Sequence, residues 1–338
     1  MAAAGLVVSS VGPLVTIQDR GRPGLMRYGV PASGPMDRAA FEIANAALGN
    51  PSAAAAIEIS MGGLALECVE GAVTVALAGG GFVTSIDRTR HDSWIVATIR
   101  AGSRLTVRPG PWGSWTYLAF AGTLKAKSWL GSCSTLAYAN LGGGSLVAGQ
   151  RLEVEDADIR DERVGEIPCP VWCRPHTDIK VVLGPQERFF APEALENLLS
   201  LPFALTDAYD RMGVRLAGPM LPLNTAPDMP SEAISRGSIQ VSGDGAATVL
   251  LSDHQTTGGY PKIATVVSDQ WDGLAQLRSR SQITFASMDP AAAIACARTR
   301  HRLQQEFLAN LRAKPATLAQ RLMAANLIDG VVSGAERS

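Results

Sequence analysis

No run in this 338-residue chain approaches the roughly 18 uninterrupted apolar residues of a membrane-spanning helix. No block of like charge breaks its even mixture of acids and bases, whose formal net charge is −1. The first absence argues against a membrane protein of the helical kind, and the second against nucleic acid or an anionic membrane as partner. Residues 1–8 lack the basic start and long apolar centre of a signal peptide, so a cytoplasmic protein is expected. Cysteine is sparse: Cys68, Cys133, Cys169, Cys173 and Cys296 form an odd, scattered set, which argues against a disulfide framework and for reduced thiols. Cys169, Cys173 and His176 place three zinc-ligand types within eight residues. A structural site wants a fourth ligand and none is near, so the stretch reads as a Pro-rich linker and no metal is predicted. A phosphate-binding Walker loop is also missing, because Gly142-Gly143-Gly144 is not followed by a lysine-bearing helix start.

What is present is a chain that is 46% hydrophobic and 18% charged, long enough for two cores. Strand-like runs open it at residues 5–9 and 14–18. One helix follows, with apolar residues at Ala40, Ile43, Ala44, Ala47 and Leu48 on one face, ended by Gly49 and Pro51. From residue 57 to about 154, short runs of Val, Ile, Leu and Thr alternate with turn residues, the rhythm of a β-sandwich or a closed barrel. Charge, Pro and Cys replace that rhythm between about residues 156 and 177. The division expected is therefore 1–160, a linker 161–176, a second β unit 177–288 and C-terminal helices 289–330. Trp94 to Val107 and Trp271 to Phe285 each run from a tryptophan through a basic turn to a strand, a faint internal echo. Asp289 before Pro290 starts a tail helix, and a second is predicted over 315–327.

The stretch Asp253-His254-Gln255-Thr256-Thr257-Gly258-Gly259-Tyr260-Pro261-Lys262 serves neither strand nor helix, yet lies between strand-like runs at 248–251 and 263–267. Its glycine pair permits close approach of a ligand, and Gln255, Thr256, Thr257, Tyr260 and Lys262 supply donors and acceptors, as a small polar ligand requires. The competing reading is a hydrogen-bonded turn closing two strands. Asp19, Arg20 and Arg22 follow a strand at once. They suit an anionic or amide ligand, or else Asp19 braces the turn by pairing with an arginine.

Thr16-Ile-Gln-Asp-Arg-Gly-Arg22, Gly29-Val-Pro31, Gly34-Pro-Met-Asp37, Leu48-Gly-Asn50, Ile57-Glu58-Ile59, Gly131-Ser-Cys-Ser-Thr135, Asp210-Arg-Met-Gly213 and the run 255–263 follow one another in this order. In this the chain resembles the biotin-dependent carboxyltransferase family, which includes the C subunit of 5-oxoprolinase and allophanate hydrolase subunit 2, from about residue 6 to residue 285. The resemblance implies a mainly β fold of two cyclophilin-like β-barrel domains with a few short helices and a helical C-terminal tail. It implies two partners: a B-type subunit of related fold, like allophanate hydrolase subunit 1, and an A-type subunit that opens the lactam. ATP would enter through that complex, which opens 5-oxo-L-proline to L-glutamate. The alternative it implies is transfer of carboxyl from carboxybiotin, carried on a partner chain, to urea or a related amide. A third is a regulatory binding module of the kinase-inhibitor antagonist type. The chain's length favours the first of these. Two departures are His254, where relatives carry Arg, Ala or Gly, and the segment 231–237.

Opening a lactam or carboxylating an amide requires that the amide be oriented, that charge on its oxygen be stabilised and that a proton be managed. Backbone amides of Thr257, Gly258 and Gly259 with the hydroxyls of Thr256 and Thr257 are the candidate oxyanion donors, and Gln255 and Tyr260 the orienting groups. Lys262, Arg20 and Arg211 are candidates to meet a carboxylate or phosphate; Asp19, Asp37 and Glu232 are candidate proton acceptors. Rival structural roles are a helix cap for Asp37 and a strand-end salt bridge for Arg211.

Overall fold

The computed structural model describes residues 2–184, 186–224 and 229–313. The first half holds two sheets. One has seven strands, in the order Thr123–Leu124, Arg151–Glu155, Ala4–Val11, Leu64–Glu70, Arg104–Arg108, Val83–Ile86, Thr89–Asp92. The other has six: Gly165–Glu166, Ile95–Arg100, Ala72–Ala78, Trp115–Phe120, Ala56–Ser60, Thr16–Gln18. Arg151–Glu155 alternates exposed and buried residues, as a strand with one wet face does, whereas Ala72–Ala78 and Trp115–Phe120 are buried almost throughout. The difference follows from helix α1 (Arg38–Leu48), which packs across both of the latter. Asp37 caps α1, accepting from Ala40 N at 2.9 Å, and Gly49 ends it in the left-handed region at φ 74°. Nine of the eleven α1 residues are buried, because the remaining side of the helix is covered from the tail.

The second half contains α2 (Pro192–Ser200) and a closed seven-stranded barrel: Asp178–Leu183, Lys262–Val266, Ser238–Val241, Ala247–Leu250, Gly213–Ala217, Phe203–Tyr209, Gln282–Ser287. Closure comes from a parallel pairing of the first of these strands with the last. The mainly β class read from the sequence is thus the class of the fold. The first half is built as two facing sheets, and the barrel closes in the second half. Residues 161–176 supply the edge strand Gly165–Glu166. Trp94 precedes a strand while Trp271 opens a short helix, α3 (Trp271–Ala275), so the two echo segments differ where they begin.

Two apolar cores result, and the second is not made by the barrel alone: Met36 and Trp115 from the first half are buried in it. The tail helix α4 (Pro290–Arg312) starts on Asp289, which accepts from Ala291 N at 2.8 Å, and lies against α1. Arg163 ties the two helices' C-terminal ends, donating to Ala47 O, Leu311 O and Arg312 O at 3.2, 3.1 and 3.0 Å. The helix predicted over 315–327 lies outside the described residues. No helix among the described residues is long and apolar enough to cross a membrane.

Candidate functional site at the junction of the two halves

The turn at residues 34–37 is the point on which the second half closes. Arg211 is buried, forks onto Asp253 with Nε to Oδ2 at 2.7 Å and Nη2 to Oδ1 at 3.1 Å, and gives a further hydrogen bond from Nη2 to Gly34 O at 2.7 Å. Its Nη1 reaches Glu58. Glu58 in turn accepts from Met36 N at 2.7 Å and from the Tyr117 hydroxyl at 2.8 Å. Burial alone depresses the pKa of Arg211, but the charges of Asp253 and Glu58 outweigh it and the net shift is upward. Ser252 donates to Pro35 O at 3.0 Å, and Arg236 donates to Pro35 O and Met36 O. Gln276 is saturated: Nε2 donates to Asp37 Oδ2 at 2.7 Å and Trp115 O at 2.9 Å, while Oε1 accepts from Ser114 N and Trp115 N. Asp37 is therefore both helix cap and anchor for the opposite half, and burial, then the charge of Asp272, raises its pKa to about 7.

Asp19 accepts from Gly21 N at 2.9 Å, Cys133 N at 2.6 Å and the Ser132 and Ser134 hydroxyls at 2.5 and 2.7 Å. Its partners are thus a loop of serines and peptide groups rather than the arginine weighed from sequence. Arg22, three residues on, is buried with its guanidinium over the Trp129 ring at 5.1 Å, and Nε and Nη1 have no hydrogen-bond partner. Burial lowers its pKa, while Asp19 and Asp253 act in the opposite direction. Arg22 and Asp253 come from opposite halves, so the loop after Gln18 and the loop beginning at Asp253 face one another. His254, next in line, is buried with Nδ1 2.6 Å from Gln255 O, and burial lowers its pKa. Arg20 points elsewhere, into a wall that it shares with Glu42, 3.7 Å away.

The remaining sequence candidates form a second group on the barrel. Thr257–Gly258 pairs with Glu232–Ala233 as a two-stranded ribbon, and Ile234 N donates to Thr256 O at 3.1 Å. Gly258 has no room for a side chain: a Cβ would stand 2.6 Å from Ile234 Cδ1 and 2.9 Å from the side-chain nitrogens of Gln240 and Gln255. Lys262 Nζ lies 3.5 Å from Glu232 Oε2, which also accepts from Gln186 Nε2, and Lys262 N donates to Gln186 Oε1 at 2.7 Å. Tyr260 and Gln255 are exposed at the rim, with Gly259 half-buried beside them. The structure therefore joins residues 255–262 to Glu232, and Arg211 to Glu58 and Asp253. Asp37 stands behind that second cluster, and Asp19 and Arg22 stand on its facing side.

Sequence reasoning passed over Glu58, Gln186, Gln240 and Gln276 as site residues. Glu58 alone had a local signal, a carboxylate set between two isoleucines in a buried strand. Among the described residues no three His, Cys, Asp or Glu side chains gather as metal ligands. Cys173 is buried and Cys169 half-buried.

A family model described as carboxyltransferase domain, subdomain A and B, matches residues 28–287. The 5-oxoprolinase C subunit of Haemophilus influenzae is 33% identical over 276 residues, 81% of this chain and 88% of that protein. The crystal structure of TTHA0988 aligns at a TM-score of 0.75 with 31% identity, over 84% of this chain and 55% of that one, so the chain spans about half of it. The K. lactis urea amidolyase aligns at a TM-score of 0.81 with 25% identity over 91% of this chain, which corresponds to 20% of that protein.

Proposed function

Because the chain belongs to the carboxyltransferase domain family of subdomains A and B, we propose that it is a subunit of an ATP-dependent 5-oxoprolinase-type complex that opens 5-oxo-L-proline to L-glutamate. The observation that carries this reading is the group around Gly258: side-chain amides of Gln240 and Gln255 converge on the glycine, with the Glu232–Lys262 pair beside them. Amide side chains offer a donor and an acceptor each, the complement of a lactam N–H and C=O. Similarity to a 5-oxoprolinase C subunit over most of both chains supports the same substrate class.

Ring opening breaks the lactam C–N bond, adds a water oxygen to the carbonyl carbon and delivers a proton to the departing nitrogen. In this reading Gln255 and Tyr260 orient the lactam, and the Gly259 amide with the Thr256 and Thr257 hydroxyls meets charge on its oxygen. Glu232 takes the proton of the attacking water and Lys262 stabilises the resulting anion. Arg22, with two buried donors unmatched, anchors the substrate carboxylate. Arg211, Asp19 and Asp37 have their polar atoms committed within the fold: Arg211 and Asp37 hold the two halves together, and Asp19 braces the loop at Ser132 to Ser134 within the first half. The donor set does not suit ATP, since the sequence lacks a phosphate loop and the described residues offer no metal-ligand cluster. We assign ATP to the two partners, the B-type subunit of related fold and the A-type subunit, and route no step through it here.

Reconstitution with those partners, measuring glutamate and ADP formed from 5-oxoproline, tests the proposal. Glu232→Gln is expected to lower kcat by about 10²- to 10⁴-fold, and Arg22→Gln to raise KM more than it lowers kcat. Absence of turnover with every partner present and folded sinks the reading. The structural match to a urea amidolyase over nine-tenths of this chain favours one alternative, carboxyl transfer from biotin on a partner chain to urea or a related amide. Labelled bicarbonate appearing in the amide product would establish it instead.

A further inference from the structure

On the other side of the turn at residues 31–37 lies a cavity of about 710 Å³, walled by the loop at Arg20, by Arg38 of α1, by Trp271 and Asp272 of α3 and by Arg300 of α4. Helix α4 lies beyond the residues that the family model matches. Two guanidinium groups of this lining, Arg38 and Arg300, are each held by an indole face, and a third, the buried Arg236, stacks on the same Trp271 ring as Arg38 without lining the cavity. Arg38 and Arg236 lie 5.9 and 5.4 Å from the Trp271 ring, and Arg300 lies 3.5 Å from the Trp172 ring. Among the described residues none of the three has an ion pair with a carboxylate.

Two of the acids on the same walls, Asp272 and Glu42, are spent otherwise. Asp272 accepts from Arg38 N and Ala39 N at 2.9 and 3.3 Å, capping the start of α1. Glu42 accepts from Gln304 at 2.8 Å and faces Arg20. Asp269 has one buried oxygen without a partner, and burial raises its pKa. An arginine stacked on an indole keeps its charge unbalanced and its fork of donors free, whereas one forked onto a carboxylate has its charge balanced and its fork occupied. Arg300 has spent Nη1 on Gln304 and keeps Nε unpartnered. The pKa of Arg236 falls to about 10, through burial and then through the charge of Arg38, so the positive excess is felt inside the fold.

We propose that this cavity is a second ligand site, which takes a small molecule by an oxyanion, a carboxylate or a phosphate, gripped by Arg38 and Arg300 with the Trp271 ring as its apolar wall. The site is separate from the group around Gly258, and the inference does not rest on the lactam reading.

Calorimetric titration of the intact chain with L-glutamate and, separately, with inorganic phosphate distinguishes the two oxyanions. At least one is expected to bind, with Kd raised about tenfold or more by Arg38→Gln and by Arg300→Gln, and unchanged by Lys262→Gln. Melting curves establish that each variant is folded; Arg300→Lys, which keeps the charge and loses the fork, replaces a Gln variant that is not, and the same loss is expected. No binding of either probe at ~10 mM, above the ~1 mM range of weak affinities, overturns the proposal. So does binding that survives both arginine substitutions, or that disappears only with Lys262→Gln.

Discussion

Asp37 shows how one side chain can carry several loads at a cost set by pH. Its carboxylate caps α1 and receives Gln276 from the other half, in a place without solvent. Burial first, and the charge of Asp272 second, move its pKa from 3.8 to about 7. Between those values the native state holds a proton that the unfolded chain has released, so this group's contribution to stability falls as pH rises from about 4 to about 7 and is level beyond. Asp37→Asn should remove that slope. Denaturant titrations across the window are expected to give a wild-type minus variant difference that shrinks with pH; a constant difference would mean that the carboxyl does not titrate there. The capping role was legible because Asp37, Ala40 and Gly49 are close in sequence. The load from Gln276 was not, since 239 residues separate the partners and no local pattern marks a glutamine as an interface residue.

At the scale of elements, helices were the most legible part because their ends are signalled by the next few residues. Asp289-Pro290 opens α4 as read, and Gly49 closes α1 as read. The barrel's closing pair, Asp178–Leu183 with Gln282–Ser287, had no such signal, since register between strands so far apart is settled by the assembled core. The loop 253–262 was recognisable as irregular, while its pairing with Glu232–Ala233 was not. Docking of α4 depends on Arg163, a residue of the segment read as linker. Arg163→Ala removes three hydrogen bonds to helix-end carbonyls, each about 0.5–1.5 kcal/mol. The expected result is faster amide exchange, by about tenfold or more, in the last turn of α4 with little change in the global melting temperature. Equal protection in variant and wild type would show that packing alone holds the helix.

For the whole molecule, the two halves are expected to melt as one. Met36 and Trp115 are buried in the second core, and Arg211 neutralises a carboxylate from each half. Calorimetry should therefore record a single transition. Arg211→Ala leaves Glu58 and Asp253 buried without their cation, a loss of about 3–5 kcal/mol, and is expected to split the transition in two or to lower it sharply; an unaltered melt would mean that the junction contributes little. The same bridge bears on how the chain is made. Glu58 and Arg211 are 153 residues apart, so at ~5–20 residues per second a ribosome releases the carboxylate roughly 8 to 30 s before its cation exists. During that interval the strand Ala56–Ser60 cannot bury Glu58 as an ion, and the half that is synthesised first waits on the half that is synthesised last.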